Sequence, residues 1–508
     1  MALTRREFNL WLGSAAATAT LSPFASALAA DGDAMTALSL TDIAAAIRSG
    51  KATSTQVVQA CLARIEVYDP KLDAFITVMR DKALAQAAQL DAEQKAGKLR
   101  GPLHGVPIAI KDNIDTAGTL TTGGSALFED RVPDADAPVV ARLIAAGAVI
   151  IGKTNLQEFA MGGGETSYYG PSRNPWNLAH NTGGSSSGSG AALAAFLSYG
   201  ALGTDTGGSV RMPASYCGIV GLKPTYGLVP IRGILPLTLS LDHCGPMTRT
   251  VADCALMLNS MAGYDRLDIT SAEHGREDYV AALAQPVSGF RLGLPPSYFD
   301  GLDPEVEAAV NDAVALLAKL TKGSTEARLP SVTSRPSLGS LGELLAYHET
   351  YVKASPAKYM LPERRRLEAA LAAPPKAADY IRAKWDLELL RRTIDDAFDG
   401  FDLVVCPTQR IVAPKLDDLI TRAHSTAPAN PLVTSNCSPF NVFGLPSISI
   451  PCGYSKSGLP IGLMISGPKF SEGKVLALAQ AYEQATQWHT RKPPLNAKTP
   501  VPPVVKGA

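Results

Sequence analysis

Gly203-Thr204-Asp205-Thr206-Gly207-Gly208-Ser209-Val210-Arg211 is the stretch on which the reading of this chain turns. Its glycines let successive backbone N–H groups face one point, and they admit the close approach of another molecule. A serine hydroxyl at the end of such a nest stands beside a ready-made anion site, as a nucleophile stands beside an oxyanion hole. A second segment of the same texture lies upstream: Asn181-Thr182-Gly183-Gly184-Ser185-Ser186-Ser187-Gly188-Ser189, running straight into an apolar helix. Gly, Ser, Thr and Pro dominate the whole of residues 162–233. Such a stretch inside a compact domain is either disordered or functional. The apolar segments at 190–197 and 219–222 threaded through it argue against disorder.

A serine hydroxyl needs a base, and neither segment holds a histidine. Lysine serves if burial leaves it neutral near the working pH. Lys111, at the end of Ile108-Ala109-Ile110-Lys111-Asp112-Asn113, is the candidate. A lone lysine at a strand end is ordinarily solvated, so its reading as a base rests on the company of the two glycine/serine segments. Asp205 and Arg211 read as a structural ion pair under the loop.

Outward from these segments the pattern is α/β. Short apolar strands are predicted over 106–110 and 148–152, with a helix over 139–146 between them. Amphipathic helices are predicted over 41–47 and 55–67, the second after the capping residues Thr53 and Ser54, and another over 82–95. Residues 304–399 read as mostly helical with a break at Pro374-Pro375. Strands at 403–405, 447–450 and 461–465 and a helix over 474–486 close the pattern. Helices between short strands indicate a sheet covered by helices in one large domain.

The 508 residues are 46% hydrophobic and 19% charged, with Lys+Arg and Asp+Glu both 47. A balanced net charge gives no footprint for nucleic acid or an anionic membrane, so neither is expected as a partner. The seven cysteines are widely spaced, without C-x-x-C, and no H-E-x-x-H occurs, so no metal and no cofactor are expected. Thr4-Arg5-Arg6-Glu7-Phe8, an uncharged run and Ala27-Leu28-Ala29-Ala30 resemble a twin-arginine export signal with a cleavage site. The expected layout is a signal over 1–30, a catalytic domain over 31–495 and a Pro/Lys-rich tail over 496–508. Export machinery is then a partner, the location is periplasmic or secreted, and the mature protein is a monomer or homodimer.

The two glycine/serine segments, their order and the upstream lysine resemble the amidase signature family of serine hydrolases. Gly105-Val106-Pro107-Ile108, Gly152-Lys153-Thr154-Asn155, the run Cys217 to Thr225, Gly444-Leu445-Pro446-Ser447 and Gly458-Leu459-Pro460-Ile461-Gly462-Leu463 are family-like as well. The resemblance covers nearly the whole mature chain and is weakest over 304–399. It implies a central mixed, mostly parallel sheet sandwiched by helices. It also implies a Ser-Ser-Lys triad, with Ser209 as nucleophile, Ser185 as bridging serine after a cis peptide, and Lys111 as base. The backbone N–H groups of Thr206, Gly207, Gly208 and Ser209 would hold the oxyanion, with Asp205, Arg211 and Ser186 in support. Two decoys fail on context. Gly184 to Gly188 fits G-x-S-x-G, but polar loop precedes Ser186 where an elbow needs a strand. Residues 218–225 have the wrong spacing for a phosphate loop.

For the substrate, Met161, Gly162, Tyr168, Ile231, Ile234, Phe440 and Phe443 are expected to form an apolar pocket. Such a pocket favours a small aryl or alkyl amide, an amidated peptide or a related compound, cleaved to acid plus ammonia or amine. The alternative is the glutaminase-type subunit of a tRNA-dependent amidotransferase, which residues 155–167 resemble closely. Export opposes it, and so does Thr434-Ser435-Asn436, where that branch needs an acidic group for the ammonium of glutamine. A catalytically silent periplasmic binding protein is the remaining alternative; it calls for loss of the triad, and all three residues are present.

Overall fold

The computed structural model describes residues 33–162, 166–332, 335–425 and 435–503. The twin-arginine segment, Glu165 and Thr434 lie outside the described residues. In chain order the strands are β1 Phe75–Val78, β2 Pro107–Lys111, β3 Val149–Thr154, β4 Gly200–Asp205, β5 Val220–Lys223 and β6 His243–Thr248. They continue as β7 Leu292–Leu294, β8 Ser324–Glu326, β9 Leu403–Pro407, β10 Ser447–Tyr454 and β11 Pro460–Ser466. All eleven form one sheet in the order β1-β3-β2-β4-β6-β5-β10-β11-β9-β7-β8. The fold is a single large α/β domain, as the sequence pattern indicates.

The sheet is mixed, but the parallel majority implied by the resemblance is corrected: six of its ten strand pairings are antiparallel. Parallel pairing needs a long crossover, and β2–β3 and β2–β4 have one, through the helices Pro138–Ala145 and Ser187–Ala194. The short connection between β10 and β11 gives a hairpin instead. Central strands are buried along their whole length, which is why Ile108 to Ile110 of β2 and Val149 to Ile151 of β3 read as apolar runs rather than alternating ones.

Strand β6 escaped the sequence reading because it contains Gly245 and Pro246, residues that depress strand propensity. Gly245 is there for space, since a Cβ at that position would collide with the Leu222 carbonyl of the neighbouring strand. The helix Ser54–Leu72 starts at a full capping box between Thr53 and Gln56, close to the predicted start. The helix Arg335–Ala354 packs on both Leu361–Ala372 and Ala377–Thr393. All seven cysteines are buried free thiols. Among the described residues no helix is long and apolar enough to cross a membrane.

Candidate active site

Strands β2 and β4 run parallel side by side, and their carboxyl ends are where α/β sheets place their sites. Lys111 is the last residue of β2. It is wholly buried, and its Nζ lies 2.8 Å from Ser185 Oγ and 2.7 Å from Thr204 Oγ1. Asn113 Nδ2 donates to the same Thr204 hydroxyl at 3.1 Å. Burial pushes the Lys111 amine down to about 7, against the pull of Asp205, Asp242 and Cys244. An amine poised there, touching a serine hydroxyl, can accept and return a proton at neutral pH. The Gly184–Ser185 peptide is cis.

The turn that follows β4 is built on Asp205. Its carboxylate accepts from Gly208 N at 2.8 Å, Val210 N at 3.1 Å, Arg211 Nη2 at 2.9 Å and Asn441 Nδ2 at 2.7 Å. Burial alone would raise its pKa, but the charge and hydrogen bonds of Arg211, with Lys223 and Asn441, hold it well below the usual carboxylate range. Arg211 spends its remaining donors on Cys437 O and Asn441 Oδ1. Asp205 and Arg211 thus form a buried ion pair with its hydrogen bonds satisfied around the turn. Gly208 adopts φ +131°, and a Cβ there would strike Cys437 Cβ at 2.7 Å. Only glycine fits.

The geometry amends the set of expected oxyanion donors. The Gly208 N–H is occupied by Asp205. Among the described residues the N–H groups of Thr206, Gly207 and Ser209 meet no acceptor. Ser209 is half-buried, and its carbonyl accepts from Ser186 N at 3.3 Å, so the two glycine/serine segments adjoin. Ser186 Oγ is itself stitched into β4, donating to Thr204 O at 3.2 Å and accepting from Thr204 N at 3.3 Å. A hydroxyl tied at both ends cannot act as an elbow nucleophile.

Beside Thr204 and Asn113 of this network lies a small cleft. Ile231 and Ile234 line it, together with Ala160, Asn113, Leu235, Leu237, Asp242 and His243. The other expected pocket residues are elsewhere. Phe440 and Phe443 are completely buried in an apolar cluster with Val404, Cys406 and Met464. They occupy the core because the helix Ser438–Phe443 must bury an apolar face to present Asn441 to Asp205. Met161 packs against Phe159 and Leu235, and its carbonyl accepts from Arg366 at 3.0 Å. Its neighbour Ala160 faces the cleft instead. Gly162 continues this loop with φ +70°. Tyr168 is half-buried with its ring edge-on to Tyr169 and does not line the cleft. Phe159 and Ala160 hold left-handed backbone at φ 48° and 59°, a strain that persists only where surroundings over-determine it. Here Glu158 does so, bonded to Ser125 Oγ at 2.5 Å and Met360 N at 2.8 Å.

Thr204, Asn113, Asp242 and His243 were not singled out in the sequence. Thr204 and Asn113 lie within the quoted motifs, so a strict accounting of the partners Lys111 needs would have pointed to them. Asp242 and His243 carry no local signal. Among the described residues there is no cluster able to hold a metal ion.

The chain is an amidase-type enzyme, of the class that cleaves amide C–N bonds: residues 56–476 match the Amidase family. The chain belongs to the amidase family. It is 41% identical over 487 residues to the A subunit of the glutamyl-tRNA(Gln) amidotransferase of Roseiflexus sp. (strain RS-1), covering 90% of this chain and 98% of that one. It is 41% identical over 482 residues to the corresponding protein of Methylococcus capsulatus (strain ATCC 33009 / NCIMB 11132 / Bath), covering 89% and 98%. The solved structure of native peptide amidase from Stenotrophomonas maltophilia is similar with a TM-score of 0.77 and 34% identity, covering 91% of this chain and 99% of that one.

These relatives overturn three expectations. An amidase for small aryl or alkyl amides gives way, because the curated relatives at about this identity are named as components of an amidotransferase. The partner set of export machinery and a lone small-molecule substrate, without nucleic acid, fails for the same reason: the relatives' name includes a tRNA and marks them as one component of an assembly. A periplasmic or secreted location fails with it, since an exported protein would not meet glutamyl-tRNA.

Proposed function

We propose that this chain is the amide-hydrolysing component of a glutamyl-tRNA(Gln) amidotransferase, with residues 31–495 as its catalytic domain, releasing ammonia from glutamine. The observation that carries the reading is the 41% identity over 98% of a relative so named. Neutral Lys111 takes the Ser185 proton as Ser185 takes that of Ser209, and Ser209 Oγ adds to the carboxamide carbon. The N–H groups of Thr206, Gly207 and Ser209 bind the oxyanion as it forms. The relay then returns the proton to the departing nitrogen, which leaves as ammonia. Water resolves the acyl-enzyme by the same path, giving the acid.

Asn436 does not supply the missing acidic group: its side chain is spent on Arg410, Tyr298 O and Pro407 O. Donor recognition is therefore expected to depend on the assembled state. The test is ammonia release from glutamine by the purified chain, alone and with its partner proteins and glutamyl-tRNA(Gln). Release that depends on Ser209 and rises with partners and tRNA is expected. A rate indifferent to both, or no release from glutamine under any of these conditions, would overturn the reading.

A further inference from the structure

Asp242 is a buried carboxylate in the wall of the cleft, and the triad chemistry gives it no role. It accepts from Thr206 Oγ1 at 2.5 Å, from Leu237 N at 2.9 Å and from Thr238 N at 3.0 Å. One side chain thus joins two elements that meet at the cleft. One is the turn carrying the unpaired N–H groups of Thr206, Gly207 and Ser209; the other is the apolar wall 235–242. The wall is anchored from behind: Ser240 N donates to Glu343 at 2.9 Å, and Arg391 Nη2 donates to Ser240 O at 2.6 Å. Asp242 is the link that passes this rigidity on to Thr206.

We infer that Asp242 is a positioning residue for the reaction, fixing the Thr206–Ser209 turn against the cleft wall so that its N–H groups stay aimed at the oxyanion. This rests on the reading of Ser209 and Lys111 given above. Without the Thr206–Asp242 bond the turn keeps its Asp205 anchor at Gly208 but loses its anchor at the first donor. Preorganised donors owe their effect to not having to move.

A second consequence follows from charge. The Asp242 carboxylate favours the protonated form of Lys111, beside Asp205. The other groups facing Asp242 are Glu343 from the helix Arg335–Ala354, the phenol of Tyr226 and the neutral imidazole of His243, whose pKa burial lowers well below its ordinary value. Of these, Asp242 is the carboxylate that acts on Lys111 directly. Neutralising it therefore lowers the pKa of Lys111 and moves the acid limb of the reaction to lower pH.

The test is the rate of covalent labelling of Ser209 by a fluorophosphonate, followed against pH in the full chain, which needs no knowledge of the donor amide. Asp242→Asn is expected to slow labelling at the plateau by roughly tenfold, a fraction of the 10²–10³ that losing a whole oxyanion donor costs. Its acid limb is expected at lower pH than in the wild type. Thr206→Val, which leaves both backbone partners of Asp242 in place, is expected to slow the plateau similarly. The double variant should be no slower than the slower single one, because both break the same link. Asp242→Asn labelling at the wild-type rate with an unmoved limb would overturn the inference, and so would fully additive losses. Label on a serine other than Ser209, or undiminished labelling in Lys111→Ala, would instead overturn the reading on which it rests.

Discussion

Lys111 and Lys153 sit on the neighbouring strands β2 and β3, both without solvent exposure, and they differ in what their amines touch. The register pairs Lys111 with Thr154 and Ile110 with Lys153, so the strand alternation sends the two side chains to opposite faces of the sheet. On one face Lys153 meets the Asp112 carboxylate at 3.3 Å, Ile114 O at 2.7 Å and Thr121 Oγ1 at 2.6 Å. On the other, among the described residues, Lys111 hydrogen-bonds only the hydroxyls of Ser185 and Thr204. Burial lowers the pKa of both amines, but at Lys153 an ion-paired carboxylate opposes it at first hand. Lys223 is a third case, fully buried against the carbonyls of Pro224 and Leu445. Burial alone does not make a base. Partners that can pass a proton do.

The comparison breaks most sharply at Lys111. Lys111→Ala is expected to lose about 10²–10⁴-fold in kcat/KM for ammonia release, the ordinary contribution of a general base. Lys111→Arg is expected to lose as much, since guanidinium stays protonated and cannot accept the Ser185 proton. A structural lysine would give the opposite order, with arginine retaining most of the activity.

The counterpart is Lys153→Met, where stability rather than chemistry should fail. It leaves the fully buried Asp112 without its cation, and breaking such a pair costs about 3–5 kcal/mol. Urea denaturation reads this directly, and the variant that remains folded should keep its Ser209 labelling rate to within a few-fold. Labelling lost as completely as in Lys111→Ala would erase the distinction between the two faces.

The pH profile sharpens the same contrast. Lys111 is lowered to about 7, so the competent neutral form predominates above that value and is lost as pH falls through it. kcat/KM should rise about tenfold per unit on the acid limb and level off at alkaline pH, because a single proton leaves the base. Activity that falls between neutral and mildly alkaline pH would contradict a neutral lysine.

The smallest effect is expected at Ser186. Its hydroxyl only ties the start of the helix Ser187–Ala194 to β4. Ser186→Ala should cost about 1 kcal/mol of stability, the usual net worth of such a hydrogen bond, and leave turnover close to normal. Loss of turnover here together with its survival in Ser209→Ala would reverse the assignment of the nucleophile.

Much of this was legible in the sequence for a physical reason. Lys111, Ser185 and the 205–211 turn sit in contiguous motifs whose glycines mark where backbone must turn or approach closely, as Gly208 does against Cys437. The helix starting after Thr53 was readable from its cap. The cleft was not. Asp242 matters because a chain reversal over 237–242 folds it back onto Thr206, a contact between residues far apart in sequence. Phe440 and Phe443 looked like pocket residues because an apolar side chain beside a motif reads the same whether it faces a cleft or a core. Strands such as β6 were hidden by a glycine and a proline whose role is set by the neighbouring strand. The named relatives overturned the expected amide and partners, which local chemistry could not reach.

The most direct measurement is the titration of the Lys111 side chain itself, followed by its ¹⁵Nζ signal in lysine-labelled protein and assigned by its absence from Lys111→Arg. The expected result is an amine that loses its proton near pH 7. A Lys111 amine that stays protonated to about pH 10, where an ordinary lysine titrates, would contradict the Ser-Ser-Lys mechanism for this protein.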